Sequence, residues 1–482
     1  MKKNRTSKQN DNLQQASRDK LSRRQFIGTA AAAAAAFTIV PRNVLAGAGQ
    51  TPPSEKLNVA AIGCGGQGKS DLRDVSTENV VALCDVDDRW AAEMWEKFPK
   101  AKRYKDFRVM LDKQKDIDAV TVSTPDHTHA VASMTAIKHG KHVYVQKPMA
   151  HSIYEVRMLT EAARKYKVAT QMGIQGHAFE GPRLLCEWIW DGAIGPVREV
   201  HVWSNRPADV WAQGRMPFFE MDKANRPPDA DVWAHAIPRP KENPPVPSEL
   251  DWDLWLGPAP SRPYHPCYAP WRWRGWWDFG TGALGDMGCH DISPIFWALK
   301  LGHPTSVEAS STQVFKETFP WACKIHYQFP ARGDMPPLKM VWYDGGLLPD
   351  RPEELEDDRQ MPLEDGIIFV GDKGKILAEG WGAQSPRLIP EAKMKEYNKP
   401  PKTIPRGIQH HQDWIRACKG GPAPLANFDY SGPLAEIVLL GNVAVRIGEG
   451  KKLYWDGPNM KVTNIPEANE YIRREYRQGW TL

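Results

Sequence analysis

From residue 57 onward the chain alternates short apolar runs with longer amphipathic ones. Residues 57–62, 80–83, 119–123, 142–145 and 168–171 are apolar and of strand length, while 89–98, 130–139 and 153–165 carry the repeat of a helix. Strand, helix, strand in this order predicts an α/β domain over 57–180, built on a parallel, doubly wound sheet. Beyond residue 181 the rhythm changes. Strand-like segments at 197–202, 306–309 and 366–370 are separated by long loops, and 410–418 and 433–447 read as helices. This predicts an α+β domain over 181–447 around a largely antiparallel sheet, followed by a short strand and tail over 448–482.

Two loops interrupt that second domain. Residues 205–275 are rich in Pro and Trp, with nine of the 20 tryptophans lying between 201 and 280, and are expected to wall a site. Residues 346–365 form an acidic, Pro-bearing insertion expected to be solvated.

The first 48 residues follow a different rule. Lys2, Lys3, Arg5 and Lys8 open a basic leader, Arg23 and Arg24 are paired before Phe26, and an alanine-rich apolar run over 28–40 ends at Pro41. A membrane span needs about 20 apolar residues, so this run is too short. With small residues at Ala46 and Ala48 it reads as a twin-arginine (Tat) signal peptide, cut near Gly47 or Gly49. Such signals mark bacterial proteins exported after they have folded around a cofactor, so the Tat machinery is an expected partner and the periplasm an expected location. Nine of the 63 Lys and Arg but only two of the 58 Asp and Glu lie in this leader, which leaves the remainder near −2 rather than +5. Nucleic-acid binding has no electrostatic footprint. The seven cysteines are scattered and lack a Cys-x-x-Cys pair, so neither a metal site nor a disulfide framework is expected.

The chemistry lies at strand ends. Gly63-Cys64-Gly65-Gly66-Gln67-Gly68 follows the first strand. There Gly63 permits a tight turn, Gly65 lets a pyrophosphate approach the backbone, and Gly68 packs the next helix closely. Asp85, about 20 residues on, suits the ribose hydroxyls and argues for NAD, while Arg89 leaves NADP open. Ser123-Thr124-Pro125-Asp126-His127 and Gln146-Lys147-Pro148 end later strands at the same sheet edge. In the second domain, Asp286 and His290 stand four apart on the approach to a helix. A carboxylate there would orient a histidine acting as general base.

In this order these motifs resemble the Gfo/Idh/MocA family, named for glucose–fructose oxidoreductase and inositol dehydrogenases, over nearly the whole chain from residue 57. The resemblance implies a Rossmann domain joined to an open-faced sheet, with dimers or tetramers forming through that sheet. It places catalytic roles on Lys147, Asp286 and His290. The strand-end motifs themselves put nicotinamide binding on Gly63, Gly65, Gly66, Gln67, Gly68, Asp85, Thr124, Pro125, His127, Gln146, Lys147 and Pro148; substrate contact is expected of Gln175 and of Arg274, Trp276 and Trp277, since aromatic faces suit the C–H faces of sugar rings. Gln146 departs from the family's usual Glu and removes a charge beside the lysine. The expected activity is oxidation of a sugar, polyol or glycoside hydroxyl. Because an exported enzyme meets no NAD pool, the cofactor should stay bound and turnover should be redox-neutral. Two alternatives stay open: an NAD-dependent glycosidase working by transient oxidation and elimination, and a carbohydrate-binding relative that has lost its chemistry.

Overall fold

The computed structural model describes residues 55–207, 239–270, 272–448 and 450–482, so the expected signal peptide and much of the Trp-rich loop lie outside the described residues. The chain from Leu57 to Leu482 forms one compact unit.

It begins with β1 (Asn58–Ile62), α1 (Gln67–Asp74), β2 (Asn79–Cys84), α2 (Asp88–Lys97), β3 (Lys102–Tyr104), α3 (Phe107–Lys113), β4 (Ala119–Val122), α4 (Asp126–Lys138), β5 (His142–Gln146), α5 (Ile153–Tyr166) and β6 (Thr170–Gly173). The six strands make one parallel sheet in the order β3-β2-β1-β4-β5-β6. All four residues of β4 are buried, as strands covered by helices on both faces must be. Helix starts are set by side chains. Asp87 caps α2 by accepting from the Arg89 N–H at 3.0 Å, and Ser152 with Glu155 forms a capping box on α5. The apolar pattern did not reveal β3, a three-residue strand whose Lys102 and Arg103 are exposed. Helix α4 starts four residues before the expected 130, because Pro125 in extended conformation hands directly to Asp126 in the first turn.

The chain continues through α6 (Glu180–Trp190), β7 (Val197–Ser204), α7 (Trp252–Leu256), α8 (Cys289–Ala298), β8 (Ser306–Ser311), β9 (Cys323–Phe329), β10 (Leu338–Tyr343), β11 (Asp365–Gly371), β12 (Gly374–Glu379), β13 (Ser385–Ile389), α9 (Glu391–Glu396), α10 (His410–Cys418), α11 (Phe428–Ile447), β14 (Leu453–Asp456) and β15 (Lys461–Val462). The second sheet has nine strands in the order β13-β12-β11-β7-β10-β9-β8-β14-β15. Its pairings are antiparallel except β7 with β10. Alternation sorts its faces: Val200, Val202, Ile367 and Phe369 join the main core, whereas Trp203, Ile368 and Leu377 point the other way.

The insertion after β10 covers that second face, which corrects the expectation that it is merely solvated. Leu355 is 2% exposed within a cluster with Trp203, Tyr343 and Ile368, and Leu348 and Met361 pack against the same cluster. Two of its acids pair with the sheet as well, Glu354 reaching Lys375 at 2.6 Å and Glu356 reaching Arg387 at 3.5 Å. The C-terminal tail straps back onto the first sheet's helices, with Arg474 paired to the buried Glu155 at 2.8 Å.

Candidate active site

A cavity of about 590 Å³ runs along the carboxyl edge of the parallel sheet and ends against the second domain. Gly63, Gly65, Gly66, Gln67 and Asp85 line one end. Gly63 has φ +85°, and a Cβ there would lie 2.6 Å from the Ser123 carbonyl oxygen. A Cβ on Gly68 would collide with the Gly63 carbonyl, so this glycine sits beneath the cavity, where it brings α1 against β1. A Cβ on Gly65 would run into the Trp90 indole, which lies over the glycine loop. Asp85 accepts from the Cys64 N–H at 2.7 Å and the Asp87 N–H at 2.9 Å, which aims its carboxylate at that loop. Burial pushes its pKa up against these hydrogen bonds. Arg89 turns to Asp87 at 2.9 Å, and Lys105 lines the cavity beside Asp85 and Asp87.

Thr124, Pro125, Gln146 and Lys147 line the middle, and Gln175, Arg274, Asp286 and His290 the far end. Lys147 donates through Nζ to Asp286. The same carboxylate lies 3.4 Å from Arg274 Nε, and Arg274 Nη1 lies 3.1 Å from Asp126 at the start of α4. The result is an alternating line of charges, Lys147, Asp286, Arg274, Asp126, that ties the two sheets' elements together. Burial alone would raise the Asp286 pKa, but Arg274 and Lys147 outweigh it and hold the carboxyl well below its usual range. His290 is lowered to about 3, chiefly by burial and then by the Lys147 charge, and is a neutral imidazole.

One pairing differs from expectation. Asp286 makes no hydrogen bond to His290. It sits in a π-turn, Leu284–Gly288, that precedes α8, and the wider turn breaks the i, i+4 alignment of an α-helix. The Nδ1 of His290 is buried with no hydrogen-bond partner, which leaves Nε2 as the ring nitrogen open to the cavity.

Four other expected residues are placed elsewhere. His127 is in the first turn of α4 and faces an aromatic cluster, its ring nitrogens 2.9 and 3.3 Å from the carbonyls of Trp255 and Phe279. Pro148 is buried beneath Lys147, its carbonyl 2.7 Å from His129 Nδ1. Trp276 is fully buried and donates to the Cys267 carbonyl at 3.0 Å. Trp277 packs on Phe319 and donates to the Phe315 carbonyl at 3.0 Å. Both tryptophans are core residues. The cavity is lined instead by Trp90, Trp255, Trp273 and Trp381, together with Arg206 and Asp365. Of these, Arg206, Trp255 and Trp273 lie in the Trp-rich stretch, and nothing local to Asp365 or Trp381 marks them. Among the described residues no cluster of three or more His, Cys, Asp or Glu is arranged to hold a metal, and all seven cysteines are buried and free.

Gln146 has a structural explanation. Its amide donates to both oxygens of Asp71, at 3.0 and 2.9 Å. Asp71 is fully buried and also meets Ser123 Oγ at 2.7 Å and His411 Nε2 at 3.1 Å. A Glu at 146 would set a second carboxylate against it.

Known proteins bear on this geometry. Inositol 2-dehydrogenase of Burkholderia multivorans is 31% identical over 151 residues, 30% of this chain and 44% of that protein. Levoglucosan dehydrogenase of Pseudarthrobacter phenanthrenivorans is 25% identical over 154 residues, 30% of this chain and 39% of that protein. The chain thus matches less than half the length of these curated relatives. The crystal structure of the WlbA dehydrogenase from Bordetella pertussis, in complex with NADH and UDP-GlcNAcA, shares the fold with a TM-score of 0.56 at 15% identity, covering 83% of this chain and 99% of that one. Residues 57–174 match the family model for the NAD-binding Rossmann fold, and residues 233–334 that for the C-terminal alpha/beta domain. Two stretches of the chain are thus similar to the two domain models of the Gfo/Idh/MocA oxidoreductase family.

Proposed function

We propose that the protein is an NAD-dependent oxidoreductase acting on a hydroxyl of a sugar, polyol or glycoside, exported with its cofactor tightly bound. The observation that carries this reading is that Lys147, Asp286 and His290 line the same cavity as the glycine loop and Asp85.

The residues present fit a dinucleotide. Side-chain-free glycines leave room at the turn, Gly66 starts α1 without a side-chain cap, and Asp85 offers its carboxylate beside the loop. When bound, NAD supplies the hydride acceptor. The protein's own groups handle the proton and the charge. Nε2 of His290 is unprotonated at neutral pH and takes the hydroxyl proton. Lys147 spends one N–H on Asp286 and turns others to the substrate oxygen, steadying negative charge as the proton leaves. Asp286 holds Lys147 in place rather than orienting the histidine. Arg274, locked between Asp126 and Asp286, holds the line of charges rigid.

Relatives named for oxidising inositol and levoglucosan support a sugar or polyol substrate. The paired arginines Arg23 and Arg24 support export, and export in turn supports a cofactor that does not exchange and a redox-neutral cycle. Mass spectrometry of the native exported protein should release NAD, and a sugar panel should change the nicotinamide absorbance. Lys147→Ala should retain NAD while turnover falls about 10²- to 10⁴-fold. A variant with full activity would remove Lys147 from the catalytic set.

A further inference from the structure

A short segment of the second domain is pinned to the first on both sides of the glycine turn. Its first pin is the turn after β2, which carries Asp85. There Asp87 and Leu250 form an antiparallel bridge, the Asp251 N–H donates to the Val86 carbonyl at 2.9 Å, and the Asp88 N–H donates to the Glu249 carbonyl at 3.2 Å. The second pin is the start of α4, after β4. Here His127 Nε2 lies 2.9 Å from the Trp255 carbonyl, and Gly257 sits so close to α4 that a Cβ on it would come within 2.7 Å of the Thr128 methyl. In the parallel sheet β1, with its glycine loop, lies between β2 and β4. The segment therefore runs along the same stretch of sheet edge as a dinucleotide whose ribose meets Asp85 and whose pyrophosphate meets the glycine loop. Between the pins, α7 turns Leu254 and Trp255 to the cavity.

The segment is also held from behind. Arg477, in the tail, donates from Nε to the Gly257 carbonyl and from Nη2 to the Asp253 carbonyl, each at 2.6 Å, and pairs through Nη1 with the Asp253 carboxylate at 2.5 Å. One guanidinium thus fixes two successive turns of the segment through charge-assisted bonds. Three residues on, Trp480 packs on Phe107 with ring centroids 6.0 Å apart, and Phe107 itself lines the cavity. Arg477 and Trp480 stand one layer behind the lining.

We propose that residues 249–257, backed by Arg477, form a clasp along the bound dinucleotide: Leu254 and Trp255 pack on it, and it leaves only when the pins at Val86 and His127 break. Arg477 is a positioning residue that acts through α7. A cover that must break several hydrogen bonds to open slows release far more than it slows chemistry at Lys147. The clasp rests on the NAD-dependent reading of the same cavity, and gives that reading a physical means of retaining the cofactor.

The test is exchange. NAD bound to the holoenzyme as purified is chased with isotope-labelled NAD, and the replacement is followed by mass spectrometry. Arg477→Ala should exchange about 10- to 100-fold faster than the wild type, because bonds to a charged group are lost. Stripped of cofactor, the variant should rebind NAD at least as fast as the stripped wild type, since a looser cover also admits the ligand more readily. Should Arg477→Ala fail to fold, Asp253→Asn, at a side chain 74% exposed, must speed exchange by a factor of at least about three. Exchange at the wild-type rate in a folded variant, or rebinding slower than in the wild type, would overturn the clasp and leave the dinucleotide in its groove. A wild type that neither carries nor takes up NAD would sink the oxidoreductase reading and the clasp with it.

Discussion

Single residues decide the chemistry through their surroundings. His290 is lowered to about 3 by burial and the Lys147 charge, so it stays unprotonated as pH falls through the ordinary histidine range near 6.5. The rate kcat/KM should therefore show no acid limb between pH 5 and 8 from this group, and a limb near 6.5 in the measured profile would contradict the buried, neutral base. Asp71 and Gln146 make a second case. Gln146→Glu would place a second carboxylate against a buried one, costing about 2–3 kcal/mol and lowering Tm. Adding Asp71→Asn should recover most of that loss, because the amide then donates to Glu. If the double variant melts no higher than the single one, the pair is not the reason for Gln146. The family motif flags position 146 as unusual, but residue 71 lies 75 positions away, and only folding shows why the exchange is accommodated.

At the level of elements, sequence pattern served where periodicity is strong and failed where a segment's partner lies far away. The longer parallel strands, with apolar centres, were legible; β3, short and basic, was not. The acidic composition of 346–365 suggested solvation, yet Leu348, Leu355 and Met361 are spaced along it to cover the sheet face around Trp203 and Ile368. Leu355→Asp should lift the insertion, lower Tm by several degrees and promote self-association seen by light scattering. A variant as stable and as dispersed as the wild type would show that the cover contributes little. The π-turn at Leu284–Gly288 is a similar lesson: four-residue spacing suggested an Asp286–His290 pair, and one widened turn gave Asp286 to Lys147 and Arg274 instead.

For the molecule as a whole, binding and stability are linked. Protein stripped of cofactor should gain about 2.7 kcal/mol when NAD is supplied at 100 times its Kd, read as a rise in Tm of a few degrees. Gly63→Ala should abolish the rise, since φ +85° and the Ser123 carbonyl 2.6 Å away leave no room for a Cβ. An equal rise in the variant would move the nucleotide away from this loop.

The sequence by itself determined the doubly wound sheet, the glycine turn, Asp85 and the lysine at a strand end. All of these follow from local pattern, because strand order and βα-turn geometry place such residues at one edge however the rest of the chain folds. Tertiary structure alone decided which of the tryptophans face the cavity, what Asp286 pairs with, why residue 146 is Gln, and that Arg206, Asp365 and Trp381 reach the site. Those contacts join residues far apart in sequence, and whether a side chain is buried, charged or paired depends on neighbours that no local spacing specifies.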